Sequence, residues 1–293
     1  MSAKPVIIGF GELLWDLLPA GAQLGGAPGN FAYHTHVLGA ETHIVSAIGD
    51  DALGRRALDQ LQSVGLSTHL IATIDTHPTG TVHVQLNDAG QASYTIVENV
   101  AWDRIPISAD SLALASRADA ICFGSLVQRS PGSRDTLRQF LAATRPDCLR
   151  IFDINLRPPH FTTEVVLDSL ATATLFKLND EELPQLATML GCASDEASVF
   201  AQLFARYPLK TIALTRGADG ATLITRDERH DLPGQPPATL ADTVGAGDSF
   251  TASLVTSLLA GRSLEEAGKR AIRHASHVCS QHGAMPDMTG FLK

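Results

Sequence analysis

The sequence predicts an α/β fold in which helices cover a mainly parallel central sheet and a small second sheet stands apart. Short apolar runs alternate with longer stretches of helical periodicity along most of the 293 residues. The hydrophobic content of 44% is ample for a buried core. One stretch, residues 79–97, instead alternates apolar and polar residues one by one. Strand–helix–strand order predicts parallel strands, whereas strict alternation predicts a sheet with one open face.

The first part of the chain has the strand–helix–strand order. Residues 6–10 form a short apolar run that predicts a buried strand. Pro28 opens a helical stretch over residues 31–38, which Gly39 closes. We predict next a strand over residues 42–47 and a helix that follows Asp51 and ends near residue 64.

Residues 79–97 interrupt this rhythm. Residues 81–86 and 92–97 have the alternating pattern, and residues 87–91 between them have the composition of a turn. This pattern predicts a hairpin with one face toward solvent or a ligand, and so a small sheet beside the main body.

The βα rhythm then resumes and continues to the end of the chain. We predict strands at residues 118–124, 150–153, 174–178 and 211–215, and helices at residues 133–144, 165–171, 180–190 and 194–207. A late hairpin over residues 220–232 and two helices over residues 247–260 and 264–281 follow. Since no repeat or long linker divides the chain, we expect one continuous domain over residues 1–293 with a small β lid.

Charge and cysteine content restrict the partners and the compartment. The chain has 22 Lys and Arg against 31 Asp and Glu, a net charge of −9, and lacks the basic blocks that neutralise nucleic-acid phosphates. Its four widely spaced cysteines are typical of free thiols in a reducing compartment. No signal-peptide pattern and no apolar stretch of about 18 residues is present. We expect a cytoplasmic protein that binds neither nucleic acid nor membrane.

A glycine-rich segment near the C-terminus is the most informative candidate site. Residues 242–250 read Asp-Thr-Val-Gly-Ala-Gly-Asp-Ser-Phe and lead directly into an apolar helical pattern. Glycines before a helix turn backbone N–H groups toward an anion, and the helix N-terminus adds positive potential. The carboxylate of Asp248 would repel an anion that is merely bound. Phosphoryl transfer to a hydroxyl needs both a base and an anion cradle, and so accounts for both features.

Polar clusters follow several predicted strands. They occupy residues 153–157, 177–182 and 215–220, and the glycine-rich segment follows the late hairpin. Ligands of open α/β sheets bind at the carboxyl ends of the strands, so we expect these clusters to meet in one crevice. Together they would supply glycine-rich loops, an arginine and carboxylates suited to hydrated Mg²⁺.

The front of the chain adds two further polar segments. Residues 9–16 follow the first strand, and residues 25–30 open the first helix. Gly9 and Gly11 lack the third glycine of a dinucleotide fingerprint, and the helix starts too late, which disfavours a Rossmann dehydrogenase. The sequence G-x-x-x-x-G-K-[ST] does not occur, which excludes the P-loop class.

These segments resemble the signatures of one known family. Residues 242–250 match the C-terminal signature D-T-x-G-A-G-D-x-F of the ribokinase-like (PfkB) carbohydrate kinases. Residues 25–32 resemble its N-terminal signature in the form typical of bacterial fructokinases, the members that the chain most resembles. The resemblance covers essentially the whole chain. It implies a three-layer α/β/α sandwich with a mainly parallel central sheet and a β-sheet lid, formed by approximately residues 11–20 and 79–100.

The resemblance also implies the reaction and the roles of particular residues. The reaction would be ATP-dependent phosphorylation of a sugar hydroxyl, most simply fructose to fructose 6-phosphate. Asp248 would be the base, and Arg157 would clamp the phosphates. The other implied residues are the anion hole of Gly245, Ala246 and Gly247, the sugar ligands Asp16, Gly26 and Asn30, and the nucleotide ligands Asn179, Thr215, Gly217, Gly220 and Gly247. Glu182 would help to hold Mg²⁺ through water.

Several alternatives stay open at this point. The acceptor could be 2-keto-3-deoxygluconate, ribose or a nucleoside, or the chain could be a catalytically silent relative that only binds ligands. Some relatives need a monovalent cation, which would lie near Asp242 and Thr243. A homodimer through the lid sheet is also implied. Trp15 and Trp102 could either stack on a sugar or pack the lid.

The histidines carry weaker signals. His274 and His277 share a helical face, which we interpret as surface or adenine-side positions rather than as a metal site. His34 and His36 are two residues apart on a helix and therefore point in different directions.

Overall fold

A nine-stranded sheet lies at the centre of the computed structural model, which describes residues 3–18, 21–86 and 92–291. From one edge to the other, its strands are β13 (Arg229–Leu232), β12 (Ala221–Ile224), β11 (Thr211–Thr215), β10 (Leu175–Asn179), β9 (Leu149–Asp153), β8 (Ala120–Phe123), β1 (Val6–Phe10), β4 (Glu41–Gly49) and β5 (Ile71–Ile74). Neighbours from β11 to β5 pair in parallel, while β12 and β13 form the predicted antiparallel hairpin. The predicted parallel sheet is confirmed.

Helices cover both faces of this sheet. One face carries α3 (Ala109–Ala115), α4 (Pro131–Ala142), α5 (Thr163–Thr172), α6 (Leu183–Leu190) and α7 (Glu196–Arg206). The other face carries α1 (Ala27–Val37), α2 (Ala52–Ser63), α8 (Ala246–Leu259) and α9 (Leu264–Cys279). Because side chains alternate along a strand, Ile8 and Phe10 of β1 pack into the first layer and Ile7 into the second. The three-layer α/β/α sandwich is confirmed.

A small four-stranded sheet stands beside the central one. Its strands, in spatial order, are β3 (Gly21–Gly25), β2 (Leu14–Leu18), β6 (Gly80–Leu86) and β7 (Ala92–Ile96). The predicted hairpin of β6 and β7 is present, and its predicted turn at residues 87–91 lies outside the described residues. Strand β2 pairs in parallel with β6 and antiparallel with β3. In sequence, β2 follows β1 and β3 precedes α1, so the small sheet is joined to both.

The sequence prediction was wrong at several short elements. Strand β5, strand β3 and helix α3 were not predicted, since they span only four, five and seven residues. Helix α1 begins at Ala27 rather than at residue 31, because Pro28 fits the first turn of a helix. Helix α6 begins at Leu183 rather than at residue 180, since Asn179 and Glu182 close a hydrogen-bonded turn before it.

No helix in residues 3–18, 21–86 and 92–291 combines the length and the apolar character that crossing a membrane requires.

Asp51 ties helix α2 to the start of the small sheet, and its loss should be costly. Its Oδ1 accepts hydrogen bonds from Gly54 N and Thr79 Oγ1, both at 2.7 Å, and its Oδ2 accepts one from Thr79 N at 2.8 Å. We expect Asp51→Ala to lower the free energy of unfolding by about 2 kcal/mol, because a helix cap is lost and donors are left unpaired. Denaturant titration measures this change.

The neighbouring Asp50 provides the matched control. Its ion pair with Arg55 is exposed, with 64% of each side chain accessible. We expect Asp50→Ala to change the free energy of unfolding by less than about 0.5 kcal/mol. Equal losses in the two variants would contradict the role given to Asp51.

Candidate active site

The polar clusters of the sequence meet at one edge of the central sheet. Strands β1, β8, β9, β10 and β11 run in parallel, so their carboxyl ends all lie at this edge. The loops after β1, β9, β10 and β11 carry the predicted residues, and the N-termini of α1 and α8 approach the same place. Asn30 of α1 and Asp248 of α8, 218 positions apart in sequence, are in direct contact there.

The start of α8 has the backbone geometry expected of the predicted anion cradle. Gly245 precedes the helix with φ of 77°, and no side chain caps this end. A Cβ built on Gly245 would lie 2.7 Å from Cβ of Ala284, so only glycine fits. Within the described residues, the N–H groups of Gly245 and Gly247 donate to no protein acceptor, while Ala246 N donates to Thr243 O at 3.2 Å. Two backbone donors are therefore free to bind an anion.

Asp248 stands in the first turn of α8, beside the cradle. The Nδ2 of Asn30 donates to its Oδ2 at 2.8 Å. The pKa of Asp248 is raised to about 6, chiefly by burial and then by the charge of Asp153, while the Asn30 hydrogen bond opposes both. A carboxylate with this pKa can accept a proton near neutral pH, which is the requirement for a general base.

Glu12 is a buried carboxyl group that the sequence did not single out. It lies in the loop between β1 and β2, and its Oε2 has no hydrogen-bond partner among the described residues. Burial raises its pKa to about 7, and the charge of Asp248 adds to this effect. Its carbonyl oxygen packs under Gly26, where φ is 109° and an added Cβ would lie 2.3 Å from that oxygen. Gly26 thereby lets the chain turn into α1.

A second missed residue, Lys177, places a positive charge under the cradle. Its Nζ is 3.1 Å from Asp153 Oδ1, and both side chains are buried. It is also 3.1 Å from the position of a Cβ on Gly247. Burial lowers the pKa of Lys177, but the carboxylates of Asp153 and Glu182 outweigh it, so the pKa is raised. A lysine inside the apolar strand β10 was the available sequence signal.

Asn179 and Glu182 form a closed turn at the end of β10. Glu182 Oε2 accepts from Asn179 N at 2.8 Å, Glu182 Oε1 accepts from Leu156 N at 2.8 Å, and Asn179 Oδ1 accepts from Glu182 N at 2.9 Å. Burial raises the pKa of Glu182. No group of three or more His, Cys, Asp or Glu side chains is placed to hold a metal within the part of the chain that the structure describes. Both carboxylate oxygens of Glu182 thus already accept backbone hydrogen bonds, so a cation here would be contacted through its water ligands.

The predicted nucleotide residues are contiguous. Asn179 of β10 is paired with Thr215 of β11, and Thr215 Oγ1 donates to Leu178 O at 3.4 Å. Gly217 and Gly220 bracket the 3₁₀ turn that follows β11. The four residues thus line one side of the same edge, next to Lys177 and the cradle.

The predicted sugar residues are carried by β2, by the residue before α1 and by α1 itself, whose Asn30 contacts Asp248. Asp16 projects from β2, with its Oδ2 2.7 Å from the position of a Cβ on Gly25. Burial raises the pKa of Asp16, and the nearby positive charge of Arg157 opposes this. The same positive charge lowers the pKa of Asp248.

Trp15 and Trp102 are packing residues. Both are fully buried. Trp15 Nε1 donates to Leu53 O at 3.0 Å, and the guanidinium of Arg129 lies 3.9 Å from the Trp102 ring centre. The alternative in which they stack on a sugar is therefore not supported.

A family model described as pfkB family carbohydrate kinase matches residues 20–289. The chain belongs to this family. It is 30% identical over 271 residues to the fructokinase of Salmonella typhimurium, covering 89% of this chain and 86% of the relative. These matches identify a sugar kinase, and they agree with the cradle and carboxylate at the start of α8.

Solved structures have the same fold. An uncharacterized sugar kinase from Pyrococcus horikoshii superposes with a TM-score of 0.84 at 27% identity, over 98% of this chain and 96% of the other. A second structure of that protein, in complex with ATP, has a TM-score of 0.82 at 27% identity, over 95% and 94% of the two chains. The ribokinase-like fold inferred from the motifs is confirmed.

The Asn30–Asp248 contact can be tested through the titration of Asp248. We expect Asn30→Ala to raise the pKa of Asp248 above about 6, because the hydrogen bond stabilises the charged carboxylate. The carboxyl carbon signal of Asp248, followed by NMR against pH, reports this shift. His36→Ala, a change on the same helix outside the site, should leave the pKa of Asp248 unchanged. An unchanged or lower pKa in Asn30→Ala would contradict the assignment.

Proposed function

We propose that the protein is an ATP-dependent fructokinase that phosphorylates fructose to fructose 6-phosphate. The observation that carries the proposal is the position of Asp248 between the N–H cradle of α8 and Asn30 of α1. The likeness to the Salmonella typhimurium fructokinase supports fructose as the acceptor. The ATP complex of the Pyrococcus horikoshii sugar kinase supports ATP as the donor.

In this proposal Asp248 removes the proton from the attacking sugar hydroxyl. With a pKa of about 6, the carboxylate is largely deprotonated at neutral pH and becomes a better acceptor as pH rises through that value. Gly245, Ala246 and Gly247 bind the transferring phosphoryl group through their N–H groups, which requires Ala246 to exchange its bond with Thr243. Lys177 and Arg157 add positive charge on the two sides of Asp248.

The substrates occupy opposite sides of Asp248. Asp16, Gly26 and Asn30 bind the sugar, because a carboxylate and an amide together can accept from and donate to neighbouring hydroxyls. Asn179, Thr215, Gly217, Gly220 and Gly247 contact the nucleotide. Glu182 would orient the water ligands of a bound Mg²⁺, which would supply charge neutralisation of the phosphates. The small sheet closes over the sugar as a lid and excludes water, which would otherwise compete as acceptor.

Two further parts of the expectation stay predictions. A monovalent cation near Asp242 would compete with bonds that already exist, since Asp242 Oδ1 accepts from Val244 N at 2.9 Å and Oδ2 from Gly283 N at 2.8 Å. The homodimer through the small sheet is tested by sedimentation at several protein concentrations.

A coupled ADP-release assay across an acceptor panel tests the proposed function. The panel holds fructose, ribose, 2-keto-3-deoxygluconate and a nucleoside, each with ATP and Mg²⁺. We expect the highest kcat/KM with fructose, and ³¹P NMR should show a phosphate ester at its 6-position. A higher kcat/KM with another acceptor would contradict fructose as the substrate but agree with a kinase. ATP binding without turnover would indicate a catalytically silent relative.

Asp248→Asn tests the proposed base. We expect kcat to fall by about 10²–10⁴, because the amide cannot accept the proton, while ATP affinity changes little. Steady-state kinetics and ATP titration calorimetry give the two quantities. Asp227→Asn, in the turn between β12 and β13, is the matched control and should keep the wild-type kcat. Near-normal turnover of Asp248→Asn would remove Asp248 from the role of base.

A further inference from the structure

Two buried histidines lie behind the anion cradle. His34 of α1 and His274 of α9 expose 0% and 1% of their surfaces. His34 Nε2 is 2.9 Å from the carbonyl oxygen of Ala284, and His34 Nδ1 is 3.0 Å from His274 Nε2. The interpretation of His274 as a surface histidine was therefore wrong, because α9 turns this position toward α1.

The partners fix the direction of these hydrogen bonds. A carbonyl oxygen only accepts, so His34 Nε2 must carry the proton that it donates to Ala284 O. Neutral His34 then accepts at Nδ1, and His274 Nε2 donates to it. Burial lowers the pKa of His34 to about 4 and that of His274 to about 3, so both rings are neutral at physiological pH. The hydrogen bonds are therefore donated in one direction, from His274 to His34 and from His34 to Ala284.

Ala284 packs against Gly245, the first residue of the cradle. A Cβ on Gly245 would lie 2.7 Å from Ala284 Cβ and 2.8 Å from Ala284 Cα. The segment around Ala284 is also tied at both sides, since Gly283 N donates to Asp242 Oδ2 at 2.8 Å and Tyr33 Oη donates to Pro286 O. A movement of Ala284 would therefore shift Gly245, whose N–H is a free donor of the cradle.

Helix α1 connects the two reacting sides. Asn30 and His34 are four residues apart and so share one face of α1. Asn30 donates a hydrogen bond to the carboxylate of Asp248. His34 donates one to the carbonyl oxygen of Ala284, the residue that packs against Gly245. One helix, α1, thereby contacts both the proposed base and the residue that supports the start of the cradle.

We propose that His34, oriented by His274, is a positioning residue that fixes the anion cradle through Ala284. This proposal rests on the proposed kinase function of the cradle. Neither histidine touches the cradle itself. Their action is to hold Gly245 in place, and its effect should appear in turnover rather than in sugar binding.

Replacing His34 by glutamine or by asparagine distinguishes the contributions of its two ring nitrogens. The amide nitrogen of glutamine reaches the position of Nε2 and can donate to Ala284 O, whereas the amide of asparagine reaches only the position of Nδ1. We expect His34→Gln to keep kcat within about threefold, and His34→Asn to lower it by about tenfold or more, as displaced oxyanion donors do. The KM for sugar should stay within about twofold in both variants.

A general loss of stability is separated from this effect by a control. Thr136→Val removes another buried hydrogen bond from a side chain to a backbone carbonyl, Thr136 Oγ1 to Ile105 O at 2.7 Å. Thr136 lies in α4, on the opposite face of the central sheet from α1. We expect this variant to lower the melting temperature about as much as His34→Asn while kcat is unchanged. Equal kcat losses in Thr136→Val and His34→Asn, or equal kcat in the Gln and Asn variants, would overturn the proposal.

A readout that needs no turnover distinguishes this proposal from the proposed function. Backbone amide NMR signals of Gly245 and Gly247 should shift in His34→Asn and stay near their wild-type positions in His34→Gln. If the wild type phosphorylates no acceptor and these shifts appear, the proposed function fails and the positioning role holds. If turnover is normal and the amide signals are the same in all variants, the positioning role fails alone.

Discussion

The hydrogen bond from Asn30 to Asp248 is the contact on which the site depends. It joins the first turns of α1 and α8, which are far apart in sequence and pack on the same face of the central sheet. A buried carboxylate is stable only when its charge is hydrogen-bonded or paired, and Asn30 supplies that bond. In the proposed function this bond places Asp248 between the sugar residues that precede and begin α1 and the cradle of α8, beneath which Lys177 lies.

The layers of the fold explain why this meeting point is rigid. Seven parallel strands bring their carboxyl ends to one edge, and the buried pair of Lys177 and Asp153 joins β10 to β9 beneath α8. Thr251 of α8 contributes a bond of 3.2 Å to Asp153 Oδ2. Breaking such a pair would leave a buried charge without a partner, which costs several kcal/mol. The cradle therefore rests on strand β10 from below and on Ala284 from the side, while its N–H groups remain open.

The sequence predicted most of the fold, and the reasons for its failures are physical. Elements with a continuous apolar run or a clear helical period, such as β1 and α9 respectively, were predicted correctly, whereas β3, β5 and α3 have neither pattern. The signature residues Gly245 to Asp248 were found because glycine before a helix is a local signal. Lys177 and Glu12 were missed, since their importance comes from burial beside residues distant in sequence. The link from His274 to Ala284 likewise depends on how α9 packs against α1, which no local pattern encodes.

The charges around the cradle explain why a carboxylate-rich site can accept phosphates. Asp153, Glu182, Asp248 and Glu12 contribute up to four negative charges when ionised, against the two positive charges of Lys177 and Arg157. Burial and mutual repulsion raise the pKa values of Asp248 and Glu12, so part of this charge is neutralised by protons. A nucleotide triphosphate would add further negative charge, which a divalent cation offsets on binding. Under the proposed function, this charge balance favours a metal–nucleotide complex over the free nucleotide. It also gives Asp248 the pKa, about 6, that the proposed base needs near neutral pH.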